Sequence, residues 1–137
     1  MALVVDTSGL YALIDADDAH HFEVRRFVEA STEALIIPIT VIPEADDLVA
    51  TRLGLRVELG MLRAIVAGEF SVEQVTQTDI DRCLALIETY GESNIGFVDA
   101  SVVAVAERLK VTRVLTLDRR HFGMIRPAHC PALDLLP

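Results

Sequence analysis

Leu3-Val4-Val5-Asp6-Thr7-Ser8 is the stretch that most narrows what this chain can fold into. Three apolar residues, two of them β-branched, stop abruptly on a carboxylate, two hydroxyls and Gly9. A short apolar run closed by turn chemistry is the signature of a strand buried on both faces, as in a parallel sheet. The punctuation recurs. Leu35-Ile36-Ile37-Pro38 is a second such run, and Arg113-Val114-Leu115-Thr116-Leu117 ends on Asp118 as the first ends on Asp6. Phe70-Ser71-Val72 is expected as a short edge strand, and Leu133 to Leu136 as a last one. Helical spacing fills the gaps. The class is therefore α/β: one domain over residues 1–137, with a central, mostly parallel sheet of four to five strands and helices on both faces.

The helices are read from periodicity and caps. Gly9 to Ala16 is expected to turn Leu10, Leu13 and Ile14 inward, capped by Ser8 or Thr7. His20 to Ala30 should bury Phe22, Phe27 and Val28. Pro43 is placed at the first position of a helix running to about Leu53, which Gly54 breaks. Leu55, Leu59, Leu62 and Val66 mark the next helix. Thr78-Asp79-Ile80-Asp81 resembles a capping box and opens a helix to Tyr90, with Ile80, Cys83, Leu84 and Ile87 as its apolar stripe. Gly96 to Leu109 is the most apolar helix, with Asp99 in its first turn, and Arg119 to Phe122 is a single turn.

Composition narrows the function classes. Apolar residues are 52% of the 137 and the net charge is −9, which argues for a packed core and against broad nonspecific nucleic-acid binding. A nuclease stays open, because clustered acids and their metal ions invert the local charge. No stretch reads as a membrane span or signal segment, so the expected compartment is the cytoplasm. Cys83 fits a core hydrophobe, and Cys130 beside His129 is too few ligands for zinc. His20 and His21, at a helix start, fit capping or packing better than ligation. The cations are eleven Arg and one Lys, which suits phosphate recognition by Arg forks and equally suits a coding preference.

Four acids, Asp6, Glu44, Asp99 and Asp118, belong to strand-to-helix junctions, and in a parallel sheet those junctions share one edge. Singly, each has a structural role available, as an N-cap or a first-turn acid. Together they would repel unless a hard divalent cation such as Mg²⁺ or Mn²⁺ accompanied them. An aspartyl-phosphate phosphatase would want a second Asp where Ser8 stands. A receiver domain would want an acidic pair at the first strand.

Asp6-Thr7-Ser8, Glu44 after an apolar strand, Gly96-Phe97-Val98-Asp99-Ala100 and Thr116-Leu117-Asp118-Arg119-Arg120-His121-Phe122 resemble the motifs of PIN-domain ribonucleases. Over essentially the whole chain, the resemblance is to the small VapC-type toxins of bacterial toxin–antitoxin pairs. It implies a Mg²⁺- or Mn²⁺-dependent endoribonuclease, usually a homodimer, silenced by a VapB-type antitoxin. Asp6, Glu44, Asp99 and Asp118 would be the metal-binding, catalytic acids, with Thr7 and Thr116 as auxiliary polar groups. Arg119 and Arg120, beside the proposed site, are expected to clamp RNA phosphates. A PIN-like ribonuclease outside a toxin–antitoxin pair and a degenerate binding module are the alternatives.

Overall fold

A computed structural model describes all residues, 1–137. The first apolar run forms β1 (Ala2–Val5) and the second β2 (Ala34–Pro38). Ser71–Glu73 is β3, Arg113–Leu115 is β4 and Asp134–Leu136 is β5. The sheet order is β3-β2-β1-β4-β5, and every pairing is parallel. Leu3 stands opposite Leu35, and Val4 opposite Ile36 and Val114. Leu3, Val4, Val5, Val114 and Leu115 have no solvent exposure at all, as strands covered on both faces require. The sheet is thus wholly parallel, with five strands.

The chain builds outward from β1 to β2 and β3, then crosses back to place β4 on the other side of β1. That reversal makes a switch point between β1 and β4, and a crevice opens outside their carboxyl ends. Asp6 is tied across it: its amide donates to Leu115 O at 3.0 Å.

Seven helices pack in two groups. α1 (Thr7–Ile14) rests on α2 (His21–Ala30) and α3 (Val41–Leu53), and α3 on α4 (Leu55–Val66). α5 (Gln77–Tyr90) rests on α6 (Phe97–Leu109), which lies over β1 and β2. α7 (Arg119–Met124) follows β4. From Ala100 to Glu107 every residue of α6 is buried, in line with its nearly unbroken apolar sequence.

Several faces and caps differ from the sequence reading. Phe22 is 69% exposed; the buried stripe of α2 is Val24, with Phe27 and Val28 partly buried. At 3.6 residues per turn, Phe22 sits about a third of a turn from both Phe27 and Val28, so one face cannot hold all three. In α5 the inward stripe is Cys83, Leu86, Ile87 and Tyr90, whereas Ile80 and Leu84 face solvent. In α4 it is Val57, Met61, Ala64 and Ile65, joined by Leu62, and Leu55, Leu59 and Val66 are exposed. The capping box is built by Thr76 rather than Thr78. Thr76 Oγ1 accepts the Asp79 amide at 3.1 Å, and Asp79 Oδ2 accepts the Thr76 amide at 3.0 Å. α3 starts two residues before Pro43, whose missing N–H still falls among the amides without helical partners. α1 begins at Thr7 with Asp6 in the cap position, and no side-chain cap bond is made there.

Candidate functional site: an acid-walled pocket at the switch point

Each of the four acids reaches the crevice by a different element. Asp6 ends β1. Glu44 stands in the first turn of α3, and Asp99 in that of α6. Asp118 precedes α7 as its N-cap. A hydroxyl pair braces two of these elements: Ser101 Oγ donates to Val98 O at 2.6 Å and meets Thr40 Oγ1 at 2.5 Å. The start of α3 is thereby held against the first turns of α6, which sets Glu44 relative to Asp99.

All four acids line one pocket of about 310 Å³, together with Thr7, Ser8, Tyr11, Asp18, Leu48, Arg52 and Leu117. A larger hollow of about 550 Å³ lies near the opposite edge of the sheet, around Met1, Phe27, Thr32 and Arg113, and holds Glu33 as its single acid. The chemistry gathers at the switch point.

Asp6 is 4% exposed, and its carboxylate is held by two hydroxyls. Ser8 Oγ and Thr116 Oγ1 each donate to Asp6 Oδ2 at 2.9 Å. Their oxygens in turn accept the amides of Leu117 and Asp118, both at 3.0 Å. One small network therefore joins the ends of β1 and β4 and fixes the Asp6 carboxylate. Burial nevertheless pushes Asp6 above the usual carboxylate range, against the pull of those hydroxyls. Asp99 is pushed up to about 6, first by burial and then by the charge of Asp6, with smaller contributions from Asp118 and Glu44. The amide of Gly96 opposes the rise. These like charges act on one another through the pocket, which is the cost of crowding carboxylates.

Asp118 combines a structural and a pocket role. Its Oδ1 accepts the His121 amide at 3.0 Å, and its Oδ2 meets His121 Nδ1 at 2.7 Å. Thr7 is 6% exposed, and its Oγ1 is buried without any hydrogen-bond partner. A buried hydroxyl left unsatisfied beside a pocket of acids marks a place for a ligand or an ordered water. The donor set is all oxygen and suits a hard cation. No three His, Cys, Asp or Glu side chains close into a ligand cage by themselves.

Of the site residues expected from sequence, Asp6, Thr7, Glu44, Asp99 and Asp118 share the pocket wall, and Thr116 sits beneath it, bonded to Asp6. Arg119 and Arg120 are exposed and do not line the pocket; Arg119 donates to Pro137 O. His21 Nδ1 meets Ala12 O at 2.8 Å, a packing role, and Cys83 is buried in the core with its thiol pushed up to about 11 by burial. Sequence reasoning missed Ser8 as an Asp6 ligand, Asp18 and Tyr11 on the wall, His121 beneath Asp118, and Arg52. Ser8 had a signal in its spacing, two residues after Asp6. Arg52 had none, since it stands at the far end of α3.

The fold and pocket define a class: an open, wholly parallel α/β domain with an acid-walled site at its switch point. The chain belongs to the PIN-domain family, whose model matches residues 3–126. It is 36% identical to Ribonuclease VapC26 of Mycobacterium tuberculosis over 135 residues, covering 98% of this chain and all of that one. Its fold matches that of M. tuberculosis VapC20, described as a sarcin–ricin loop cleaving toxin, with a TM-score of 0.81 at 24% identity over 87% of this chain and 92% of that one. It also matches a chain of DNA-bound VapBC from Salmonella typhimurium, with a TM-score of 0.70 at 15% identity over 98% and 96%. A toxin–antitoxin complex from Klebsiella pneumoniae gives 0.71 at 19% identity over 90% and 92%.

Proposed function

We propose that this chain is a divalent-metal-dependent endoribonuclease, the VapC-type toxin of a toxin–antitoxin pair. The observation that carries the reading is the meeting of Asp6, Glu44, Asp99 and Asp118 on one pocket wall at the switch point. The residues fit a cation. Four carboxylates offer oxygen donors, the Thr7 hydroxyl is unsatisfied, and Asp99, raised first by burial and then by the charge of Asp6, would gain from a counter-ion. Asp6, Glu44, Asp99 and Asp118 would hold Mg²⁺ or Mn²⁺, ions that keep part of their water and need no closed protein cage. Such an ion supplies, when bound, charge neutralisation and the activation of water towards a phosphodiester.

The chain's own groups do the positioning. Ser8 and Thr116 lock the Asp6 carboxylate in one orientation, and Thr116 carries the Asp118 amide on the same oxygen. His121 orients Asp118 from below. Thr7 lines the pocket with its hydroxyl buried and without a hydrogen-bond partner. Arg119 and Arg120, exposed and next in sequence to Asp118, serve as outlying phosphate contacts.

The partner of this reading is a small VapB-type antitoxin whose C-terminal arm crosses the acidic pocket, presenting an Arg to the carboxylates. Kinship with Ribonuclease VapC26 and the likeness to toxin–antitoxin assemblies support it. Action as a homodimer in the cytoplasm belongs to the same proposal. No helix is long and apolar enough to cross a membrane.

The test is to incubate the purified protein with total RNA, with chelator and then with Mg²⁺ or Mn²⁺, and to map the new ends. Discrete cuts are expected only with metal. Asp6→Asn and Asp99→Asn should each lower cleavage at least a hundredfold and abolish growth arrest while keeping the far-ultraviolet circular dichroism of the wild type. Undiminished cleavage by either variant would remove the acids from the chemistry. Cleavage without growth arrest would favour a processing nuclease outside a toxin–antitoxin pair.

A further inference from the structure

One cation lies among the acids of the pocket wall and makes no ion pair with any of them. Arg52, at the end of α3, lines the pocket with Asp6, Asp18, Glu44, Asp99 and Asp118. The eight ion pairs of the molecule engage Arg25, Arg82, Arg108, Arg113, His20 and His121, and none engages Arg52. Its guanidinium carbon instead stands 5.4 Å from the centroid of the Tyr11 ring. Tyr11 is itself held, its hydroxyl donating to Asp15 Oδ2 at 2.8 Å. A cation at a helix C-terminus is favoured by the helix dipole, which explains a positive residue there. It does not explain a buried aromatic shelf, anchored at its far end, beneath that residue.

We propose that Arg52 is a substrate-binding residue: it holds an RNA phosphate adjacent to the one cleaved, and Tyr11 positions it. This rests on the nuclease reading above. A guanidinium presents paired N–H donors that match two phosphate oxygens, and stacking on an aromatic face fixes its plane without consuming those donors. Among carboxylates it would ordinarily fold onto one of them. Stacking keeps the guanidinium off the acids, which remain free for metal, and although one arm lies within reach of the Tyr11 hydroxyl, the rest of its fork stays available to a phosphate. The pocket then divides the RNA backbone between an acidic half, which takes the reacting phosphate with a cation, and the Arg52 side, which takes a neighbour directly.

The experiment uses full-length wild type, Arg52→Ala, Arg52→Lys and Tyr11→Leu, with Mn²⁺ and a short single-stranded RNA carrying a mapped cut site. It measures kcat and KM over a salt series. Arg52→Ala is expected to raise KM about tenfold, the worth of one charge-assisted contact, with kcat within about a factor of two. Its log(kcat/KM) should fall less steeply with log salt, by about 0.7, as one lost phosphate contact predicts for single strands. Arg52→Lys keeps the salt slope and recovers part of the KM, because charge returns without the planar fork. Tyr11→Leu raises KM while keeping the salt slope, because the charge stays and only its placement is lost. Unchanged KM and slope in Arg52→Ala, beside an active wild type, would overturn this inference and leave the nuclease reading standing. So would a variant that cleaves normally yet no longer captures the antitoxin, for the guanidinium would then belong to a protein interface. A wild type that cleaves no RNA overturns the nuclease reading, and this inference with it.

Discussion

At the scale of single residues the site is an arrangement of unfavourable charge. Asp99 feels burial first and the three other acids next, and its folded pKa of about 6 lies above the ordinary value of 3.8. The folded apo protein therefore holds a proton at Asp99 more tightly than the unfolded chain does. Stability linked to this group is fully present below about pH 4 and is lost as pH rises through about 6. Asp99 is partly exposed, so solvent screening leaves an effect on the order of 1 kcal/mol. Asp99→Asn removes the charge and keeps the shape. In chelator at pH 7.5 the variant is expected to melt above wild type by about 3 °C, the shift such an energy produces in a chain of this size. At pH 3.5, below the unfolded pKa, the two should nearly coincide. Equal differences at both pH values, read by differential scanning calorimetry, would show that Asp99 carries no such charge burden.

At the scale of elements, the close approach of α1 to β4 sets where Thr7 and Ser8 stand. A Cβ built on Gly9 would lie 2.4 Å from Leu115 O, inside backbone that cannot step aside. Gly9→Ala is expected to cost about 1–3 kcal/mol, the range for overpacking, and to lower cleavage as α1 shifts away from Asp6. Gly60, in the middle of α4, meets nothing within 4 Å of the same built atom. Gly60→Ala should stabilise by about 0.5–1 kcal/mol through helix propensity alone. Urea titration of the pair separates contact from propensity; loss of stability in both would contradict it. The contrast also shows what local pattern conveys. Every expected helix and strand formed, because apolar runs and caps act over a few residues. The inward faces of α2, α4 and α5 were misjudged, because each carries more apolar residues than one face can hold. Their neighbours, not their own sequence, choose the buried stripe.

At the scale of the whole molecule, long-range ties hold the frame against the strain of the pocket. Glu107 of α6 accepts Arg82 of α5 at 2.7 and 3.0 Å and the Ala128 amide at 2.6 Å. These bonds bind α5, α6 and the segment leading to β5 into one unit. A cation in the pocket would relieve the charge that the frame resists. Mn²⁺ at about a hundred times its Kd should raise stability by about 2.7 kcal/mol. In Asp6→Asn most of that gain should vanish. A thermal melt series against metal concentration reads it, and an equal rise in both proteins would place the metal elsewhere.

A mostly parallel α/β class, the course of the strands and the strand-to-helix junctions that carry Asp6, Glu44, Asp99 and Asp118 were legible in the residue order. Those features follow from short-range chemistry: an apolar run must be covered, and a junction in a parallel sheet must fall at its carboxyl edge. Which hydroxyls hold Asp6, and which cation joins the pocket, follow from packing across the fold. Ser8 and Thr116 stand 108 residues apart in the chain and meet because β1 and β4 are neighbours at the switch point. Arg119 and Arg120 follow Asp118 directly, yet α7 leaves them exposed and off the pocket wall. Arg52 is far from every motif, yet the packing of α3 on α1 sets it over Tyr11. Proximity along a chain is a poor guide to proximity in a pocket, because each helix turns its side chains through a full circle and the sheet order, not the sequence order, decides which ends meet.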